Sequence, residues 1–284
     1  NIVFACSLYL IFVLFAFVVP QTALVQPPAQ VDSFYSASLD RVKKVTVILP
    51  ENYNTQTRYP VLFLLHGLGG SHTDWSSRTK IQEYAAAYPL IIVMPDAENS
   101  WYVNSSLVPG ERYEDYLIRD VDEFVSQHYA IDTSRRAIAG LSMGGYGALM
   151  LALRHPSKFR FAGDLSGAIT VPSALSDTAS PPEKFLAPTL RRAFGGMSKS
   201  HRDQHDIVQL YKRTPKEQLP YLYMVMGIQD GFQKWIPAHR AFADSLRAYG
   251  AAYEYHEIQG AHNWQFWDRE IQPLLKRMRE IMKF

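Results

Sequence analysis

Gly140-Leu141-Ser142-Met143-Gly144 sets a serine between two glycines, at the point where one apolar run ends and another begins. The first run, which ends at Ile138, is short enough for a buried strand, whereas the second, residues 146–153, has the pattern of a helix. Where a strand turns at once into a helix the backbone is crowded, and glycine avoids the clash. The stretch therefore predicts a nucleophile elbow, in which a sharp turn holds the Ser142 hydroxyl exposed.

Two later strand-like runs end in residues that complement such a serine. Residues 221–226 lead into a loop that contains Asp230, and residues 253–258 lead into Gly260-Ala261-His262. Both residues lie just beyond the carboxyl end of a strand, at the edge where open α/β sheets gather their functional groups. The chain order Ser, Asp, His is the order that accompanies this elbow. We therefore predict a catalytic triad of Ser142, Asp230 and His262 and the chemistry of a serine hydrolase.

A glycine-rich loop follows the strand-like run 61–65 and reads His66-Gly67-Leu68-Gly69-Gly70. Ester hydrolysis needs two backbone N–H groups aimed at the developing oxyanion, and glycines let a backbone come that close. We assign these donors to the N–H groups of Leu68 and Met143. The alternative is that the glycines only shape a turn. We expect His66 to be structural, because His262 is the better-placed base.

Composition limits the classes of function. The 284 residues have 47% apolar content and a net charge of +2, which suits one well-cored domain and gives no basic field for nucleic acid. Cys6 is the only cysteine, so the domain after it depends on no disulfide and no thiolate-bound metal. His201 and His205 are four residues apart but lack the glutamate and third ligand of a zinc helix, and we expect them on a solvated helix face. The predicted mechanism needs no cofactor.

The first 30 residues differ from the rest of the chain. Residues 2–19 are apolar and uncharged, and Pro20 opens a polar stretch through Gln30. Such a run is typical of a secretory signal peptide, yet it is also just long enough to span a bilayer, and no clear cleavage site follows. Asn1 is not an initiator methionine, so the charged start of a signal peptide is missing. We expect an exported enzyme, which contacts a membrane only through this segment if the segment is not cleaved.

Strand-like and helix-like runs alternate from residue 31 onward. Residues 36–49 suggest antiparallel strands, and runs 61–65, 90–94 and 136–139 suggest buried strands with helices over residues 78–88 and 113–128 between them. This alternation predicts an α/β fold with a mostly parallel sheet and helices on both faces. We expect one domain over residues 31–284. Residues 171–220, rich in proline, serine and charge, are predicted to form an insertion that acts as a lid or pocket wall.

Four motifs in order resemble the putative-esterase family of α/β-hydrolases. They are Leu64-Leu65-His66-Gly67-Leu68-Gly69-Gly70, Met94-Pro95-Asp96 with Ser100-Trp101-Tyr102, Gly140-Leu141-Ser142-Met143-Gly144-Gly145-Tyr146-Gly147-Ala148, and Gly260-Ala261-His262-Asn263-Trp264-Gln265-Phe266-Trp267. The resemblance covers residues 40 to 280. It implies the α/β-hydrolase fold and the same triad of Ser142, Asp230 and His262.

The family contains several kinds of esterase, and the Asn-Ser-Trp-Tyr segment and the His-x-Trp-x-x-Trp ending are most similar to small tributyrin-type esterases. The resemblance implies a serine carboxylic-ester hydrolase that acts on short-chain acyl esters through an acyl-enzyme. A feruloyl or acetyl-xylan esterase of plant polysaccharide side chains is the main alternative. An S-formylglutathione hydrolase, an acyltransferase and a binding module that has lost the chemistry remain further alternatives. We expect Trp101, Tyr102, Trp264 and Trp267 to line the substrate pocket.

Overall fold

The structure is a computed structural model that describes residues 29–171, 181–195 and 198–284. The apolar run of residues 2–19, predicted to be a signal peptide or membrane anchor, lies outside the described residues, whereas residues 29 and 30 at the end of the predicted linker belong to the first strand. Among the residues that are described, no helix is both long enough and apolar enough to cross a bilayer. The described part begins with a strand at Ala29, two residues before the predicted start of the domain.

One sheet organises this part of the chain. Within the described residues it contains eight strands, which are β1 (Ala29–Ser36), β2 (Arg41–Ile48), β3 (Tyr59–Leu65), β4 (Ile91–Pro95), β5 (Ile131–Leu141), β6 (Phe161–Leu165), β7 (Tyr221–Gly227) and β8 (Tyr253–Ile258). Their order across the sheet is β1-β2-β4-β3-β5-β6-β7-β8. β2 pairs antiparallel with both β1 and β4, and all other neighbours are parallel. The predicted fold class is therefore confirmed.

Helices connect the parallel strands, and one further helix follows β8. They are α1 (Asp74–Arg78), α2 (Ile81–Ala85), α3 (Tyr113–Asp115), α4 (Asp122–His128), α5 (Met143–Arg154), α6 (Pro181–Phe194), α7 (Lys199–Asp203), α8 (Ile207–Arg213), α9 (Trp235–Tyr249) and α10 (Trp264–Met282). A π-helical segment, Tyr116–Val121, joins α3 to α4, and a 3-10 turn, Lys216–Gln218, precedes β7. α6, α7 and α8 come from the predicted insertion.

The sheet separates two hydrophobic cores. In β3, Val61, Phe63 and Leu65 point into one core, whereas Leu62 and Leu64 point into the other. The first core is completed by side chains of α5 and α9, and the second by side chains of α1, α2 and α10. Because both faces are covered, the central strands read as continuous apolar runs rather than as alternating patterns.

Two predicted helices differ in detail from the observed ones. Of the helix predicted over residues 78–88, the structure forms α2 (Ile81–Ala85), and Arg78 instead ends the separate helix α1. Between the two helices the Lys80 N–H donates to the Asp268 carboxylate (2.8 Å). The helix predicted over 113–128 is continuous, but its middle is wound as a π-helix. The second element therefore lies where it was predicted, whereas the first is shorter than predicted and is separated from α1 at Thr79 and Lys80.

Candidate active site

The turn at Ser142 is as sharp as the glycine pattern indicates. Ser142 has φ 53° and ψ −115°, a left-handed conformation that a non-glycine residue adopts only under constraint. A Cβ atom on Gly140 would lie 2.5 Å from the backbone of Gly144, and one on Gly144 would lie 2.6 Å from the carbonyl oxygen of His66. The two flanking glycines therefore let β5, α5 and the loop after β3 approach one another closely. The Ser142 N–H donates to the carbonyl oxygen of Leu165 at the end of β6 (3.0 Å).

The three predicted triad residues lie in one hydrogen-bonded chain. His262 Nε2 lies 3.0 Å from Ser142 Oγ, and His262 Nδ1 lies 2.7 Å from Asp230 Oδ2. The Asp230 carboxylate is fully buried, whereas the His262 side chain keeps 17% exposure. An ionised carboxylate can only accept, so Nδ1 carries the proton and Nε2 is free to accept from the serine hydroxyl.

Neighbouring groups fix the orientation of the Asp230 carboxylate and the His262 imidazole. The other oxygen of Asp230, Oδ1, accepts from the N–H of Phe232 (2.8 Å). Three aromatic rings surround the His262 imidazole at centroid distances of 5.0 Å for Phe232, 5.6 Å for Trp235 and 4.9 Å for Trp267. All three meet it edge to face, which confines the plane of the imidazole ring.

The loop after β3 lies beside the serine. A Cβ atom on Gly67 would be 3.6 Å from the Ser142 Cβ, and Leu68 and Ser142 line the same cavity. The loop is held from behind, because the Gly69 N–H donates to Asn99 Oδ1 (2.6 Å) and the Tyr102 hydroxyl donates to the His66 carbonyl (2.8 Å). Within the described residues, neither the Leu68 nor the Met143 N–H donates to another backbone group. Neither amide therefore has a backbone acceptor among these residues, as the predicted oxyanion donors require.

His66 is a structural residue of this loop. Its Nδ1 donates to the Gly67 carbonyl (2.8 Å), and its Nε2 accepts from the N–H of Ala97 (3.0 Å). Burial lowers the pKa of the imidazole, so the neutral tautomer that satisfies both bonds is favoured. His66 thereby joins the loop after β3 to the loop after β4.

A cavity of about 290 Å³ opens at Ser142 and His262. Its apolar lining is formed by Leu68, Leu141, Phe185, Leu186, Phe232, Trp264 and Trp267. Phe185 and Leu186 belong to α6, so the predicted insertion contributes a wall of the cavity. No sequence pattern indicated these two residues, because the insertion has no strand or helix pattern as clear as that of the sheet region.

Two of the four predicted pocket aromatics do not line this cavity, and the prediction for them is wrong. Trp101 and Tyr102 are buried, with φ of 56° and 59°, and this backbone turn directs both side chains into the core. Trp101 Nε1 donates to Thr189 Oγ1 on α6 (3.0 Å), and the Tyr102 ring packs on Gly147 of α5. Both residues therefore pack in the core beneath the site and do not line the cavity.

The prediction of a solvated face for His201 and His205 is also wrong for one of them. His201 is exposed, but His205 is buried under the turn after α7, where its Nδ1 donates to the His201 carbonyl (3.0 Å). Burial lowers the pKa of the His205 imidazole. Among the described residues, no group of three or more His, Cys, Asp and Glu side chains is arranged to hold a metal ion.

Sequence reasoning missed a second histidine and carboxylate near the site. His239 on α9 and Asp164 on β6 are both fully buried, and His239 Nε2 lies 2.9 Å from Asp164 Oδ2. The one signal in the sequence was a charged residue inside the apolar strand 161–165.

The chain matches the model of a protein family described as putative esterase over residues 36–278. An acetyl esterase of Caldicellulosiruptor saccharolyticus is 27% identical over 266 residues, which cover 88% of this chain and 97% of that protein. Among solved structures, the chain is similar to FphF, a fluorophosphonate-binding serine hydrolase of Staphylococcus aureus. That match has a TM-score of 0.77 at 27% identity and covers 89% of this chain and 99% of the other. A structure of S-formylglutathione hydrolase from Staphylococcus aureus matches with a TM-score of 0.72 at 27% identity, covering 88% of this chain and 98% of the other.

Proposed function

The chain belongs to the putative esterase family and is a carboxylesterase-type serine hydrolase, and from this premise we propose that it hydrolyses short-chain acyl esters through an acyl-enzyme on Ser142. The family resemblance inferred from the four sequence motifs is thereby confirmed. The observation that carries the proposal is the chain of hydrogen bonds from Asp230 through His262 to Ser142, which opens into an apolar cavity.

In the proposed mechanism His262 acts first as base and then as acid. Its Nε2 takes the proton of the Ser142 hydroxyl as Oγ attacks the ester carbonyl, and it returns that proton to the departing alcohol. Water then attacks the acyl-enzyme with the same proton transfers and releases the carboxylic acid. Asp230 keeps the proton of the imidazole on Nδ1 and stabilises the imidazolium that forms in each half-reaction.

The Leu68 and Met143 amides would bind the oxyanion of each tetrahedral intermediate. Leu68 lines the cavity together with Ser142, and Met143 directly follows Ser142 in the chain, which supports this role; neither N–H has a competing backbone acceptor among the described residues. One such donor typically contributes about a hundredfold to a thousandfold in turnover. The glycines that bring the loop close to Ser142 are therefore part of the chemistry as well as of the turn.

The cavity supports a small acyl group. Its volume of about 290 Å³ is at the lower end of the range for ligand pockets, and Trp267 and Phe232 stand directly beside the imidazole. An acetyl or butyryl group fits such a space, whereas a long chain would extend past Phe185 into solvent. The acetyl esterase among the relatives is consistent with this size argument.

A feruloyl or acetyl-xylan esterase is the second candidate. The aromatic lining favours it, because Phe185, Phe232, Trp264 and Trp267 offer ring faces and edges to an aryl acyl group. Thiol-ester hydrolysis and acyl transfer to an alcohol use the same acyl-enzyme and differ only in the leaving group or the acceptor. Export of the enzyme remains a prediction from residues 2–19 of the sequence.

Hydrolysis of an ester panel tests the proposal. The panel contains p-nitrophenyl acetate, butyrate and octanoate, methyl ferulate, and a formyl thiol ester, with Ser142→Ala as the matched control. We expect kcat/KM to fall from acetate or butyrate to octanoate and to vanish with Ser142→Ala. Added alcohols that divert the acyl group from water would identify an acyltransferase.

Each other outcome selects a different conclusion. Strong turnover of methyl ferulate would favour the plant-polymer esterase, and a dominant rate on the thiol ester would favour an S-formylglutathione hydrolase. Equal activity of wild type and Ser142→Ala on every ester, together with no labelling of Ser142 by a fluorophosphonate probe, would refute the proposal.

A further inference from the structure

Asp164 and His239 form a buried pair that the proposed mechanism does not use. Neither side chain has any exposure, and His239 Nε2 lies 2.9 Å from Asp164 Oδ2. His239 Nδ1 lies 2.8 Å from the carbonyl oxygen of Trp235, and because a carbonyl can only accept, Nδ1 carries a proton. Burying an imidazole and a carboxylate is costly unless both are well bonded, so a pair at this depth calls for a physical reason.

Asp164 lies against the helix that begins at the nucleophile. A Cβ atom on Gly145, the third residue of α5, would collide with Asp164 Oδ1, and so would a Cβ atom on Gly167. This oxygen has no hydrogen-bond partner among the described residues, and it faces the first turn of α5, where the helix dipole favours negative charge. Leu165 follows Asp164 in β6, and its carbonyl oxygen accepts a hydrogen bond from the Ser142 N–H. Asp164 is thus part of the support of the elbow.

His239 belongs to the helix that packs on the proposed base. The ring centroid of Trp235, the first residue of α9, lies 5.6 Å from that of His262 in an edge-to-face arrangement and 4.0 Å from that of Phe232, on which it stacks. Phe232 in turn donates its N–H to Asp230. The first turn of α9 therefore forms the wall behind the acid and the base, and the bond from His239 to Asp164 joins that wall to β6.

We propose that Asp164 and His239 are positioning residues that hold the helix of Ser142 and the wall behind His262 at a fixed separation. Ser142 and His262 come from different strand ends, and the 3.0 Å between Oγ and Nε2 depends on how α5 and α9 sit on the sheet. Displacing reacting groups by about 1 Å is enough to cost about a hundredfold in rate. This inference rests on the proposed roles of Ser142 and His262.

The double variant Asp164→Ala/His239→Leu tests the pair. Removing both partners together leaves no buried unpaired group, so the fold is expected to survive. We expect kcat on p-nitrophenyl acetate to fall by about ten- to a hundredfold, with KM within about threefold of wild type. The rate of fluorophosphonate labelling of Ser142 is expected to fall in parallel. Asp164→Asn, which keeps the shape and a hydrogen bond to His239, is expected to retain kcat within about threefold.

Glu114→Gln is the matched control for a general loss of stability. Glu114 is another buried carboxylate, bonded to Arg154 and His155 (2.8 Å each) at the opposite end of α5. The 12 residues of α5 place that end about 18 Å from the elbow. Glu114→Gln is expected to lower the melting temperature and leave kcat and the labelling rate unchanged.

Three outcomes would overturn the inference. The first is that the double variant has the circular dichroism spectrum and the kcat of the wild type. The second is that Glu114→Gln lowers kcat as much as the double variant does. The third is that Asp164→Asn is as slow as the double variant. If the double variant does not fold, Asp164→Ser decides by the same criteria, since it shortens the acceptor and leaves the His239 ring in place. If the wild-type protein shows no Ser142-dependent labelling, the proposed function itself is refuted. If the wild type is labelled and the double variant keeps its kcat and labelling rate, only the positioning role is refuted.

Discussion

Two carboxylate–histidine pairs lie close together in this molecule and differ in what the second imidazole nitrogen meets. In the pair Asp230–His262 the distance is 2.7 Å, and the other nitrogen faces the Ser142 hydroxyl. In the pair Asp164–His239 the distance is 2.9 Å, and the other nitrogen faces a main-chain carbonyl. The first imidazole keeps 17% exposure beside the cavity, whereas the second has none. The same pair of residue types is thus proposed to serve proton transfer where a hydroxyl is within reach, and to hold the structure together where only a carbonyl is.

The largest effect is expected from removing the proposed base. His262→Ala deprives Ser142 of its proton acceptor, and turnover of p-nitrophenyl acetate is expected to fall by about a millionfold, as for other triads that act as a unit. Steady-state kinetics with purified enzyme measure this, and circular dichroism checks the fold. A loss below about a hundredfold would remove His262 from the mechanism and with it the contrast between the two pairs.

The acids of the two pairs provide the sharpest comparison. Asp230→Asn is expected to lower kcat by about ten-thousandfold, because the amide favours the wrong tautomer of His262. The same change at Asp164, described above, is expected to cost about threefold at most. Measuring both variants on one ester under the same conditions gives the ratio directly. Equal losses at the two positions would mean that both carboxylates act through charge.

For stability, in contrast to turnover, we expect the larger loss when the buried pair Asp164–His239 is broken. His239→Leu leaves a fully buried carboxylate without its partner, and we expect the free energy of unfolding to fall by about 3–5 kcal/mol. His262→Leu leaves Asp230 its bond from the Phe232 N–H and lies at a partly exposed position, so a loss of at most about 1–2 kcal/mol is expected. Urea denaturation of both variants measures the difference. A larger loss for His262→Leu would contradict the assignment of the buried pair to cohesion.

His66 extends the comparison to a buried imidazole without a carboxylate hydrogen-bond partner. Burial lowers its pKa in the folded protein below the ordinary value of 6.5, so below that pH the unfolded chain binds more protons than the folded one. The stability contributed by neutral His66 is therefore present above pH 6.5 and is lost as the pH falls. We expect the free energy of unfolding to decrease on acidification below this value, and a smaller decrease in His66→Gln. An identical pH dependence in the two proteins would show that His66 does not contribute.

The fold and the meeting of Ser142, Asp230 and His262 at one edge of the sheet could be predicted, because both depend on local sequence patterns. Each of Ser142, Asp230 and His262 follows a short apolar run, and parallel strands bring such positions to one edge. Trp101 and Tyr102 were misplaced because their positive φ values are fixed by tertiary packing, which a sequence pattern does not report. Asp164 and His239 were missed for a related reason: they are 75 residues apart and meet only when α9 packs on the sheet.

The two walls of the cavity come from different parts of the chain, so residues for chemistry and residues for selectivity can be changed separately. The proposed catalytic groups stand on loops at the ends of β5, β7 and β8, whereas Phe185 and Leu186 stand on α6. α6 is fastened to the loop after β4 by the bond from Trp101 to Thr189 and by the ion pair of Arg192 with Glu111 (2.6 Å). Mutations on the cavity side of α6 can therefore accumulate without disturbing the strand ends. A library of variants randomised at positions 185 and 186 is expected to contain enzymes with new acyl specificities, because the proposed catalytic residues stay the same in every variant.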